Sequence, residues 1–358
     1  GGMLWNAGVT LGFLGILTGN ASGLEGLQMP GKVLPLLFFG FVLVGLSLVQ
    51  TNNRRTDEEM SPAQWFLFAA TLWLPWVLAG SYLLIHFFNA RGVVANIVDW
   101  WFIHNFARVY LTFVGLGTLF HFLPAMTGRA LEGRGHAKFA FWVLLLFGSV
   151  GGVGPGAPVP AWLPALSTVT AVFYFFGVIA VWVSLKRTIS GVSVADSVDS
   201  LTYDLMRLAA LVFISVSVLN VFFAFPGPGS VAEFTIYGPA MELLFNLGFV
   251  GLTLIAALYH VFPRLAGMDF SPKMTRIQTA AIVLGFFGAT LPSALGGLMS
   301  GDAVLGSGFY FASLGDVFLF VGSLILFLNF LGAILFAMKN CGCLAGICCG
   351  VKKKEAGA

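Results

Sequence analysis

The chain has 358 residues, of which 58% are apolar and 9% charged, and its formal net charge is +3. Soluble domains carry about 25% charged residues, so an aqueous fold is excluded and a lipid environment is required. Nothing in so small a charge points to nucleic acid as a partner.

Apolar stretches long enough to cross about 30 Å of hydrocarbon, at about 20 residues each, recur along the whole length. In chain order they predict ten spans, near 3–19, 33–50, 62–88, 98–126, 138–155, 163–186, 203–226, 232–263, 277–300 and 309–338. The first and fifth are short and contain glycine. Basic residues follow every second span: Arg54 and Arg55; Arg129, Arg134 and Lys138; Lys186, Arg187 and Arg207; Arg264, Lys273 and Arg276; then Lys339 with Lys352, Lys353 and Lys354. The opposite loops hold only Lys32 and Arg91. This positive-inside bias predicts that both termini are cytoplasmic. It also supports an even span count, because one missed helix would scramble the alternation.

Every loop is short, so residues 1–340 are predicted to form a single transmembrane helical domain, followed by a short cytoplasmic tail, 341–358, rich in Cys and Lys. All four cysteines lie in CGCLAGICCG, as Cys341, Cys343, Cys348 and Cys349. Their spacing is not the usual pair of C-x-x-C knuckles, which leaves a thiolate metal site, reduced juxtamembrane thiols or lipid attachment as readings. The first span lacks the basic leader and the cleavage site of a signal peptide. No GxGxxG turn, phosphate loop or CxxCH motif occurs.

Chemistry inside the membrane is confined to a few side chains. Of five histidines, His86, His121 and His260 fall near span ends, His136 falls in a basic loop, and His104 falls within the fourth span. Arg108 follows His104 by four residues, which places both on one helix face. An arginine at mid-membrane costs about 2.5–3.5 kcal/mol on insertion scales and needs a partner or water. The acids well inside spans are Glu242 and Asp316. Arg108 is therefore expected to meet Glu242, or Asp316 or a backbone carbonyl, or an aqueous cavity.

Residues 99–131, DWWFIHNFARVYLTFVGLGTLFHFLPAMTGRAL, resemble the sixth helix of the catalytic subunit of cbb3-type haem-copper cytochrome c oxidases. There a His-Asn pair opens the helix and Phe-x-Pro closes it. ALYHVFPRLAG, 257–267, is similar to the end of that family's tenth helix, and LWNAGVTLGFLGILTGNASGLE near the start is similar to its third. The order and lengths of spans are compatible from about residue 4 to 338. The resemblance implies an all-α, polytopic membrane protein of about ten transmembrane helices in a haem-copper-oxidase-subunit-I-like bundle, without the family's first two helices.

The resemblance also implies where ligands would stand. The copper-binding histidine of the sixth helix is matched by His104, whereas the adjacent His-His pair of the seventh falls on Gly152 and Val153. The active-site tyrosine of that helix has no counterpart, since no tyrosine lies between Tyr110 and Tyr174. The His-x-His that serves the two haems falls on Met241 and Leu243. Methionine can be an axial ligand; glycine, valine and leucine offer no donor. The remaining low-spin haem ligand would precede residue 1.

The chain therefore resembles a degenerate homologue with no catalytic, cofactor-binding or metal-ligating residues of its own. His104, Arg108, Glu242 and Asp316 are the candidate polar cluster of a former metal pocket. The implied role is a haem-free, non-catalytic scaffold in a respiratory electron-transfer complex of the bacterial cytoplasmic membrane. Its partners would be lipid, other membrane subunits and cytochrome-type subunits, with haem or copper held by those neighbours. The alternatives are a catalytic terminal oxidase or nitric-oxide-reductase relative with haem, and an intramembrane proton or ion conduit through the same four residues.

Overall fold

A computed structural model describes residues 1–55, 59–190, 200–266, 270–299 and 302–341. Helices account for its regular structure, and the described residues contain no strand. In chain order they are α1 (Gly2–Leu17), α2 (Leu34–Asn53), α3 (Pro62–Tyr82), α4 (Val93–Asn105), α5 (Thr112–Thr127), α6 (Arg134–Gly148), α7 (Trp162–Ile189), α8 (Ser200–Phe223), α9 (Pro226–Ala232), α10 (Tyr237–Leu243), α11 (Leu252–Ala266), α12 (Pro272–Leu298) and α13 (Asp302–Cys341). Three π-helical segments extend or join them: Leu83–Phe87 after α3, Phe106–Leu111 between α4 and α5, and Leu244–Gly251 between α10 and α11. In hydrocarbon every backbone polar group must be satisfied within the segment, which is why continuous helices dominate.

Among the described residues, eight continuous helical spans, three of them running through a π segment, are long and apolar enough to cross a membrane. The ten predicted stretches each find a helix, but the first and fifth are short. At 1.5 Å per residue, the 16 residues of α1 and the 15 of α6 reach only about 24 and 22 Å. The fifth prediction also ran too far. α6 stops at Gly148, because Gly151 and Gly152 adopt φ of +124° and +92° and Pro155 follows. His136, expected in a loop, lies in the first turn of α6. The FPGPGS segment starts the short helix α9 with Pro226 in its first turn, where a missing N–H costs nothing.

The chain divides into two compact units, Gly1–Leu254 and Ile255–Ala358. In the first, Phe66 of α3 packs against Phe113, Phe120 and Phe141, with ring centroids 4.8–5.4 Å apart. Phe249 sits against Phe213 at 4.7 Å. A Cβ on Gly115 would collide with the Phe249 ring, so glycine there sets how closely α5 approaches that segment.

A polar clasp holds α3, α4 and the end of α6 together. Asn105 is fully buried; its amide donates to the carbonyls of Trp101 (2.9 Å) and Ser149 (3.2 Å), and its Oδ1 accepts from Trp73 Nε1 at 3.1 Å. Asp99, also buried, accepts from the backbone N–H of Gly26 at 3.0 Å and so fixes the turn between α1 and α2 on α4.

In the second unit α12 and α13 form an antiparallel pair. A Cβ on Gly285 would stand 2.6 Å from the Leu319 backbone nitrogen, and one on Gly288 would stand 3.2 Å from Gly315 Cα. Small residues permit this close backbone approach, as is usual between membrane helices. A buried polar group links the same unit: Tyr259 donates to Gln278 at 2.9 Å, and the Asn329 amide donates to Tyr259 (3.3 Å) and Thr275 (3.4 Å). Cys341 ends α13, while Cys343, Cys348 and Cys349 lie outside the described residues.

Replacing Asn105 by Leu should lower the unfolding free energy of the detergent-solubilised protein by about 1–2 kcal/mol, the upper range for interhelical hydrogen bonds in membranes. Thermal or SDS-induced unfolding measures this. An unchanged midpoint would show that the clasp carries no stability.

Candidate functional site

The site lies in the first unit, where α4 passes through a π segment. Widened π turns admit an extra residue and recur at functional sites. Here the Thr112 hydroxyl donates to the Ala107 carbonyl five residues back, at 3.1 Å, satisfying a backbone group within the widened turn. Arg108 stands at the middle of this segment and His104 one turn earlier on α4.

Both side chains line a cleft of about 840 Å³. It is lined by residues of α1, α2 and the turn between them, of α3, of α4 with the π segment that follows, of α8, and of α10 with its following π segment. Leu34, Leu37, Phe102, Phe106 and Phe245 make most of it apolar, and Glu25, Glu242 and Asn246 add polar groups. Glu242 is exposed, as is Glu25, so both carboxylates face open space.

The Arg108 guanidinium lies over the Phe245 ring, 5.8 Å from its centroid, a distance at which the ring face attracts a cation. Among the described residues no carboxylate comes within 4.0 Å of it. Glu242 lines the same cleft as Arg108. The structure thus brings His104, Arg108 and Glu242 to one cleft without a direct ion pair. Asp316 belongs to the second unit, where it is exposed on α13; it does not line this cleft.

Of the positions matched to the family's ligands, Met241 and Gly152 also line the cleft. Met241 and Val153 are buried and Leu243 is half-buried. Gly152 is pressed against His104: a Cβ there would stand 2.6 Å from His104 Cβ and 2.9 Å from the Trp100 carbonyl oxygen. The loop after α6 therefore occupies the space beside the imidazole with bare backbone. His104 Nε2 is buried and has no hydrogen-bond partner, while the ring meets the Gly148 carbonyl.

Two residues that the sequence did not single out shape the site. Tyr174 of α7 places its hydroxyl 3.2 Å from the Arg108 carbonyl and 3.3 Å from Thr112 Oγ1. A tyrosine thus reaches the π turn from a different helix than the family pattern implies. Ser217 of α8 is buried with its hydroxyl unpartnered. No spacing rule links either to Arg108, 66 residues from Tyr174 and farther still from Ser217.

These residues do not fit a copper centre. Tight sites use three or four donors, and among the described residues no three of His, Cys, Asp or Glu converge. For haem, the axial donors lining the cleft are one imidazole, His104, and the thioethers Met29 and Met241. A bis-histidine haem does not fit that set.

Comparison with known proteins places the fold. The model of the family "Cytochrome C and Quinol oxidase polypeptide I" matches residues 2–303. The chain is 22% identical over 284 residues to the cytochrome c oxidase subunit 1 homolog of Agrobacterium tumefaciens (strain T37), covering 74% of this chain and 51% of that protein. It also superposes on a chain of a heme-copper terminal oxidase dimer solved by cryo-EM, with a TM-score of 0.73 at 16% identity, over 93% of this chain and 68% of that one. The fold is that of a haem-copper oxidase subunit I. This protein belongs to the cytochrome c and quinol oxidase polypeptide I family and is a multi-pass membrane protein. It spans about half the length of the curated relative it matches.

Restoring a histidine at Gly152 should fail to create a copper site. The φ of +92° disfavours any side chain, by about 1–2 kcal/mol, and the new Cβ would overlap His104. Gly152→His is expected to lower the thermal midpoint and leave copper content by plasma emission at background. A stable variant with stoichiometric copper would refute this view of the loop.

Proposed function

We propose that this chain is a haem-free, non-catalytic relative of the cbb3-type catalytic subunit, acting as a structural component of a respiratory membrane complex. The observation that carries the reading is the glycine loop seated on His104. Where the resemblance puts a pair of copper ligands, Gly152 and Val153 supply backbone and a valyl side chain, and the backbone leaves no room for more. Met241 and Leu243, where the resemblance puts the haem ligands, support it independently, because leucine has no donor. In this reading His104, Arg108 and Glu242 are what remains of the pocket, a polar cluster with a fixed positive charge. Asp316 contributes to a separate part of the chain.

Haem, copper or iron-sulfur centres would then sit in neighbouring subunits, and lipid and cytochrome-type subunits would be the partners. The basic residues support a bacterial cytoplasmic membrane orientation with both termini inside. A second reading, an intramembrane conduit, has one observation in its favour: Arg108 and Glu242 share an open cleft with Asn246 and Glu25, and proton relays use such groups.

The visible spectrum with metal analysis separates these roles. The isolated subunit is expected to show no Soret band and less than 0.1 equivalent of iron or copper, roughly the background of such assays against the full occupancy of a tight site, while the intact complex shows haem absorption. A Soret band from the isolated chain would overturn the scaffold reading. Proton flux in liposomes that disappears in Glu242→Gln would instead select the conduit.

Arg108 and Glu242 should show only weak coupling. The two make no direct ion pair, and a double-mutant cycle of Arg108→Gln with Glu242→Gln is expected to give about 0.2–1 kcal/mol. A coupling above about 3 kcal/mol, the scale of a buried pair, would mean that the two close into a desolvated contact.

A further inference from the structure

Behind the cleft, under the loop that follows α6, lies a second chamber of about 260 Å³. The two spaces meet at His104, Arg108, Gly152 and Asn220, which line both. Arg108 thus stands at the neck. The loop above is held in place by Glu233, whose carboxylate accepts the Gly156 N–H at 2.6 Å.

The chamber has an unusual polar balance. Most of its hydroxyls are already spent: Thr168 donates to the Ala224 carbonyl at 2.7 Å, Thr170 to Leu166 at 2.9 Å and Tyr174 to Arg108 at 3.2 Å. What remains is the Ser217 hydroxyl and His104 Nε2, both buried and without a partner, together with the Arg108 guanidinium and the Asn220 amide. No carboxylate lines the chamber; Glu25 and Glu242 line only the outer cleft. The space therefore offers the unpaired Ser217 donor beside a permanent positive charge whose acids lie on the side of the outer cleft, with His104 Nε2 as a further unpaired polar atom.

Unpartnered buried polar groups call for an occupant, and a guanidinium is donor-only and stays charged. At about 30 Å³ per water in the liquid, the volume admits a small ion with several waters. We propose that this chamber binds a small monovalent anion, of the size of chloride, nitrite or formate, held by Arg108, Ser217 and Asn220. The site goes beyond the scaffold role and does not depend on it. Water alone would meet the hydrogen-bonding demand but would leave the charge of Arg108 uncompensated on the chamber side.

The test is the thermal midpoint of the purified full chain at constant ionic strength, titrated with sodium chloride, nitrite or formate in exchange for gluconate, which is too large to enter. A saturable rise with the small anions and none with gluconate is expected. Ser217→Ala should weaken the apparent affinity about tenfold, the effect of one hydrogen bond to a charged group, and Arg108→Gln should abolish the response. Because Arg108→Gln can disturb folding, crystals soaked in bromide provide a second readout, with an anomalous peak expected beside Ser217 and Arg108. No saturable response to any small anion, a response unchanged in Ser217→Ala, or bromide peaks only elsewhere would overturn the proposal and leave a chamber holding water alone.

Discussion

A guanidinium cannot lose its proton inside a protein, so wherever the chain folds, Arg108 brings a fixed positive charge into the span Val93–Thr127. Burying it in hydrocarbon is costly, and the first unit is arranged around that cost. The residue sits in a π turn at the junction of two cavities, lies over the ring of Phe245 and has Glu242 across an open cleft. A pocket that holds such a charge is poorly suited to a metal cation, since two like charges in a low-dielectric site repel strongly. The same side chain thus accounts for the polar character of the cleft.

The backbone supports this arrangement through hydrogen bonds of the chain's own residues. Asn105 ties the entry to the π turn to α3 and to the end of α6, and Thr112 and Tyr174 bond to its carbonyls. The glycines at 151 and 152 then carry the chain across His104 in conformations that side chains avoid. The hydrogen bonds of Asn105, Thr112 and Tyr174 satisfy polar groups internally, as the membrane demands. Together they fix the course of the backbone around the pocket.

Much of the fold was legible because composition and basic-residue alternation respond to the bilayer directly. Each apolar stretch found its helix, and the family resemblance carried by residues 99–131 agrees with the family match over residues 2–303. The errors have physical sources. The fifth stretch was extended through GSVGGVGP because its hydropathy continued, although glycine and proline end helices; α6 stops at Gly148. The π segments left no mark in the periodicity, whereas Tyr237, Gly238, Met241, Glu242, Phe245 and Asn246 recur every three or four residues and so share the helix face that lines the cleft. Tyr174, Ser217 and the Asn105 clasp depend on contacts between distant segments, which a single sequence does not encode.

The most direct test of the account is a cryo-EM map of the intact complex, read at the cleft between His104 and Arg108. The account predicts side-chain density for Arg108 at the neck, the Gly151–Gly152 backbone against the imidazole, and no macrocycle. A porphyrin ring in the cleft, with its iron joined to His104 or Met241, would contradict it.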